Sequence, residues 1–137
     1  MVSVNLPAMV DGYQRLVRTW TEKCFGTPTL EPIERGRRLL EEAIELAQSV
    51  NVPAEQARQL VDYVYGRPVG EPSQEVGGVM ITLAILCNGL GINFGEEALR
   101  ELTRIDTPEL IRKIRDKQVS KNLHGIGGTP EAAKLNG

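Results

Sequence analysis

Apolar residues recur at helical spacing along most of this chain, and no stretch alternates apolar and polar residues as a strand would. The pattern predicts six helices, over residues 6–24, 32–50, 54–65, 73–90, 95–105 and 108–120. Punctuation supports most of these bounds. Gly26 and Pro28 close the first helix, Pro53 opens the third and Gly66 ends it, and Asn93 with Glu96 forms a capping box for the fifth. Two helices stand apart. In the second, at roughly 100° per residue, Leu39, Leu40, Ala43, Ala47 and Val50 lie opposite Glu45. Glu34, Arg38, Glu41, Glu42 and Ser49 surround Glu45. The fourth is apolar nearly all round, with Val76, Val79, Met80, Ile81, Leu83, Ile85, Leu86 and Leu90 covering its circumference. Such a helix is expected at the centre of the fold.

Carboxylates in these two helices are the main chemical signal. Glu41 and Glu45 form a like-charge i,i+4 pair, which costs an isolated helix about 0.2–0.5 kcal/mol. That is small, and a solvated acidic face explains it as well as a bound cation does. Glu75 adds weight, because a carboxylate in an interior helix must be hydrogen-bonded, paired, protonated or bound to metal. The rival explanation is a first-turn carboxylate favoured by the helix dipole. Glu71, Gly78, Thr82 and Gly89 share the Glu75 side of the helix. Gly77 and Gly78 each cost about 1 kcal/mol relative to alanine in a helix interior, so close packing or ligand access is expected there.

At these residues the chain resembles the MazG-like all-α nucleoside triphosphate pyrophosphohydrolases, whose pattern is Glu-Glu-x-x-Glu on one helix and Glu-x-x-Asp on the next long one. EEAIE supplies Glu41, Glu42 and Glu45, and EVGGVMITLAIL supplies Glu75; the match runs from about Pro32 to Leu90. Gly78 stands where the family has its aspartate. The resemblance implies an oligomeric all-α helical bundle that hydrolyses a nucleoside triphosphate to monophosphate and pyrophosphate. Magnesium, or manganese in its place, would be held by Glu42, Glu45 and Glu75, with Glu41 or Glu42 accepting the proton of the attacking water. It also implies substrate contacts from basic residues on a late helix, here Lys113 and Lys117. A homodimer or homotetramer is expected from the family, and also because so few helices can hardly enclose one that is apolar all round. The alternative is a noncatalytic helical oligomer that binds nucleotide or only assembles, having lost the aspartate at Gly78.

Other features refine this picture. Lys113 and Lys117 lie among Glu109, Asp116, Ile111 and Ile114, so an ordinary solvated face suits them as well. Trp20 packs at helical intervals with Leu16, Val17 and Cys24, which suits core packing, although an indole can also stack on a base. Aromatic residues make up only 4% of the chain, so the core must come from aliphatic side chains, as in helix bundles. A net charge of −2 and the lack of basic stretches interleaved with aromatics argue against nucleic-acid binding. The lone histidine, His124, makes a histidine triad or zinc site improbable, and the two cysteines fit buried reduced thiols. No leader is visible, and no run of 18 residues is free of polar groups and glycines, so a cytoplasmic protein without membrane contact is expected. Residues 1–121 read as a single all-α domain and the glycine-rich stretch 122–137 as a flexible tail.

Overall fold

A computed structural model of the chain describes residues 3–26 and 31–123. The described residues form an all-α protein of six helices: α1 Leu6–Phe25, α2 Pro32–Ser49, α3 Ala54–Tyr65, α4 Pro72–Leu90, α5 Phe94–Ile105 and α6 Pro108–Leu123. The bounds follow local chemistry. The Asn5 side chain caps α1 by accepting from the Ala8 amide, and Asn93 caps α5 by accepting from the Glu96 amide at 3.0 Å. Gly91 ends α4 in the left-handed conformation with φ 68°, where its amide meets the carbonyls of Cys87 and Asn88. Gly66 ends α3 differently: its φ of −78° is right-handed, and its amide reaches Asp62 O and Val64 O. The final helix extends to Leu123, a few residues beyond the expected end, while residues 124–137 of the expected tail, including His124, lie outside the described residues.

The chain divides into two compact units, one carrying α1, α5 and α6 and the other carrying α2, α3 and α4. In the first, α1 packs against α6. Its helices are also pinned by side chains that reach backbone groups far along the chain. The Tyr13 hydroxyl donates to Ala98 O, and the Trp20 indole N–H donates to Ile105 O, each at 3.2 Å. Arg115 donates from Nε to Cys24 O at 2.7 Å and from Nη2 to Lys23 O at 2.8 Å. These carbonyls belong to the last turn of α1, whose C-terminal acceptors have no partner within the helix. Lys23 completes the corner by pairing with Asp106 at 3.0 Å. Cys24 is fully buried there, and burial raises its thiol pKa above the usual value.

In the second unit the expected burial of α4 is absent from the single chain. Cys87 is its buried residue, whereas Ile81 and Ile85 are each 65% exposed and Val76, Val79 and Leu90 are exposed as well. The physical reason is that the described helices of this unit pack little against α4, so most of its apolar circumference meets no neighbour within the chain. Apolar residues of α2 and α3 are also exposed, among them Leu39, Leu40, Ile44, Leu60 and Val61. By length and composition alone, α4 is apolar enough to cross a membrane.

Candidate functional site

The carboxylates of α2 divide by the company they keep. Glu34 is 8% exposed and pairs with Arg38 Nε at 3.3 Å and with Arg35 Nη2 at 3.8 Å. Glu41 Oε2 accepts from Arg38 Nη1 at 2.6 Å. Arg38 therefore bridges two acids that lie one turn to either side of it, an arrangement suited to its planar fork of donors. Glu42 and Glu45 are exposed, and neither makes an ion pair or hydrogen bond with any described residue. The hydrophobic pattern alone placed Glu34 in the acidic group around Glu45; the fold uses it as a structural ion-pair partner.

Glu75 lies in the first turn of α4 and is exposed, so the burial argument for a bound cation does not apply to it in the single chain. The favourable helix-dipole position is retained. Its side chain folds back over the loop that precedes the helix. A methyl group built at Gly70 would overlap Glu75 Oε1 and come within 3.0 Å of Cδ. Gly70 thus leaves a cradle that the Glu75 carboxylate occupies and that any other residue would fill. By contrast, a methyl group at Gly77 or Gly78 would meet nothing within 4 Å, so these glycines are not required by packing within the chain.

Glu42, Glu45 and Glu75 are hard oxygen donors of the kind that suits magnesium. Among the described residues, however, no three histidine, cysteine, aspartate or glutamate side chains lie close enough together to hold one ion. The donor chemistry fits a divalent cation, while the single chain leaves the donors ungathered.

The other sequence candidates lie in the first unit. Trp20 is partly buried, its indole N–H engaged with Ile105 O and its ring edge-on to Phe25 with centroids 6.4 Å apart. Lys113 is exposed and pairs with Glu109 Oε1 at 3.0 Å. Lys117 is exposed with no ion pair to a described residue. The loop over residues 66–72 between α3 and α4 could be read from the sequence as a plain connector or as a segment that positions the Glu75 helix, but Arg67 within it was not singled out. There the Arg67 guanidinium lies 4.6 Å from the centre of the Tyr63 ring. The i,i+4 spacing of a tyrosine and an arginine at a helix end was the available signal.

Comparison with known proteins finds no matching family model, no matching curated protein and no matching solved structure.

Proposed function

We propose that this protein is a metal-dependent nucleotide pyrophosphohydrolase that converts a nucleoside triphosphate to its monophosphate and pyrophosphate. The observation that carries the reading is the division among the carboxylates: Arg38 engages Glu34 and Glu41, while Glu42, Glu45 and Glu75 make no ion pair or hydrogen bond with any described residue. The Gly70 cradle leaves room for the Glu75 carboxylate, and the unpaired carboxylates of α2 and α4 are hard oxygen donors of the kind a divalent cation takes. The motif resemblance of EEAIE and Glu75 supports the same chemistry.

In this reading Glu42, Glu45 and Glu75 hold magnesium or manganese. Bound there, the ion would offset the triphosphate charge and acidify the attacking water. The water oxygen attacks the α-phosphorus, the bond from that phosphorus to the bridging oxygen of the β-phosphate breaks, and pyrophosphate leaves. With Glu42 given to the cation, the water proton passes to Glu41, whose carboxylate would have to turn from Arg38 to accept it. The resemblance also implies triphosphate contacts from Lys113 and Lys117; these lie in the other compact unit, as does Trp20, whose indole is engaged with Ile105 and Phe25. The protein works in the cytoplasm as a homodimer or homotetramer. The exposed apolar faces of α2, α3 and α4 supply the surface for that assembly, and assembly is what draws the donors together.

The second reading is a noncatalytic helical oligomer that binds nucleotide or simply assembles. It is favoured by Gly78 in the position of the family aspartate. One assay separates the two. Pyrophosphate release is measured across ordinary and modified ribo- and deoxyribonucleoside triphosphates with magnesium or manganese, with chelator as control. Metal-dependent release that Glu75→Gln abolishes in folded protein supports the enzyme. Silence from the wild type, with activity appearing in Gly78→Asp, establishes the second reading.

A further inference from the structure

An acidic unit that takes a polyanionic substrate needs cations of its own. Residues 32–92 contain eight carboxylates against five arginines and no lysine. Three of these arginines are occupied: Arg35 and Arg38 pair with Glu34, and Arg58 pairs with Glu55 at 3.6 Å. Arg37 carries a buried Nη1 with no hydrogen-bond partner, so part of its guanidinium faces inward. Arg67 is different. It is exposed, makes no ion pair with a described residue, and is held over the face of Tyr63 at 4.6 Å.

The loop around it is fixed at both ends. The Gly66 amide donates to Asp62 O at 3.0 Å and the Arg67 amide to Val64 O at 3.1 Å, which ties the start of the loop to the last turn of α3. At the other end, Gly70 lies against the Glu75 carboxylate. A guanidinium parked on an aromatic face has lost part of its freedom while keeping its N–H edges open, and those edges match phosphate oxygens two at a time. Two residues separate it from the glycine that cradles a proposed metal donor.

We infer that Arg67, presented by Tyr63, is a binding residue for the polyphosphate chain of the substrate, on the same compact unit as the carboxylates. The inference rests on the proposed pyrophosphohydrolase reading for its substrate class, but the anion site can be tested without turnover. Calorimetry with inorganic tripolyphosphate and magnesium is run on the full-length wild type and three variants, each checked for wild-type helicity and melting temperature. Arg67→Gln is expected to weaken binding about tenfold or more. Tyr63→Leu, which leaves the charge but removes its platform, is expected to weaken it about threefold. Arg58→Gln removes the same charge from a paired arginine of α3 and is expected to leave binding unchanged.

Wild-type affinity in Arg67→Gln overturns the inference, as does equal loss in Arg67→Gln and Arg58→Gln, which would mark a bulk charge effect. A wild type that does not bind tripolyphosphate overturns it too. Selective loss in Arg67→Gln without pyrophosphate release from any nucleotide sustains the anion site and removes the hydrolase reading. Turnover with an Arg67→Gln KM equal to wild type does the reverse.

Discussion

Glu34 and Glu42 are two glutamates of one helix with opposite fates, and neither fate could be read from spacing. Both fall on the polar side of α2, yet Glu34 is buried with Arg38 and Arg35 while Glu42 is exposed and unpaired. Both lie four residues from Arg38, so spacing does not choose between them; the guanidinium turns to Glu34 and Glu41 and leaves Glu42 in solvent. Glu34→Ala removes one acid from Arg38 but leaves Glu41 as its partner, so the loss falls below that of a fully orphaned buried charge: about 1–3 kcal/mol, read from urea unfolding. Glu42→Ala should change stability by less than about 0.5 kcal/mol, since exposed side chains without partners contribute little. Gly70 makes a separate point. Gly70→Ala must displace the Glu75 carboxylate, because the new methyl group would take its place, and the flexible side chain can yield where backbone could not. The expected outcome is a changed Glu75 carboxyl carbon shift by NMR with an almost unchanged melting temperature. If the Glu75 signal stays where it is, the cradle does not exist in solution.

Helix ends were the most legible elements, because their signals are local. Asn93, Pro53 and Gly66 stand where the sequence put boundaries, and Asn93 caps α5 as its spacing to Glu96 predicted. What joins the helices was invisible, since it lies in contacts between residues more than eighty positions apart. Arg115 lies between Lys113 and Lys117 on α6, and its guanidinium serves the C-terminal carbonyls of α1, where a cation also favours the helix dipole. Arg115→Ala should cost about 1–2 kcal/mol, the range for partly exposed charge-assisted hydrogen bonds, with Arg115→Lys recovering only part because it cannot serve both carbonyls in one plane. Chemical unfolding followed by Trp20 fluorescence checks this. The α1 to α5 link carries a pH dependence. Burial, and secondarily the Glu101 charge, raises the Tyr13 pKa above 10.0. A phenol that holds its proton more tightly when folded stabilises the fold below the unfolded pKa, and that contribution disappears as pH rises through the folded value. The unfolding midpoint of wild type should therefore fall more steeply above about pH 10 than that of Tyr13→Phe. Parallel curves would show that the hydroxyl is not buried in solution.

At the scale of the whole molecule, the sequence identified α4 as a helix apolar nearly all round and pointed to an oligomer as its cover. Within one chain little covers it: Ile81 and Ile85 on one side, and Val76, Val79 and Leu90 on another, remain exposed. Each aliphatic side chain moved out of water contributes about 1.5–3 kcal/mol, so leaving several exposed forfeits a sum comparable to the stability of a small domain. A second copy and a lipid bilayer are the two environments that would recover it. Gln74, Glu75 and Asn88 along the same helix, together with its three glycines, favour a protein partner, which can satisfy polar groups and approach small residues closely. The helix is therefore expected to be the centre of a homo-oligomeric interface. Ile81→Glu and Ile85→Glu should each shift the protein toward monomer in light scattering coupled to gel filtration, and the wild-type melting temperature should rise with protein concentration. If wild type elutes as a monomer in buffer, the oligomer is excluded. If it stays insoluble until detergent is added, the bilayer is the environment that α4 requires. Because the proposed donors lie on α2 and α4, the Ile81→Glu and Ile85→Glu variants should also lose manganese binding in step with assembly, measured by the paramagnetic signal of the free ion. Full manganese affinity in a monomeric variant would show that the cation site belongs to one chain and that assembly serves only to cover the apolar helix.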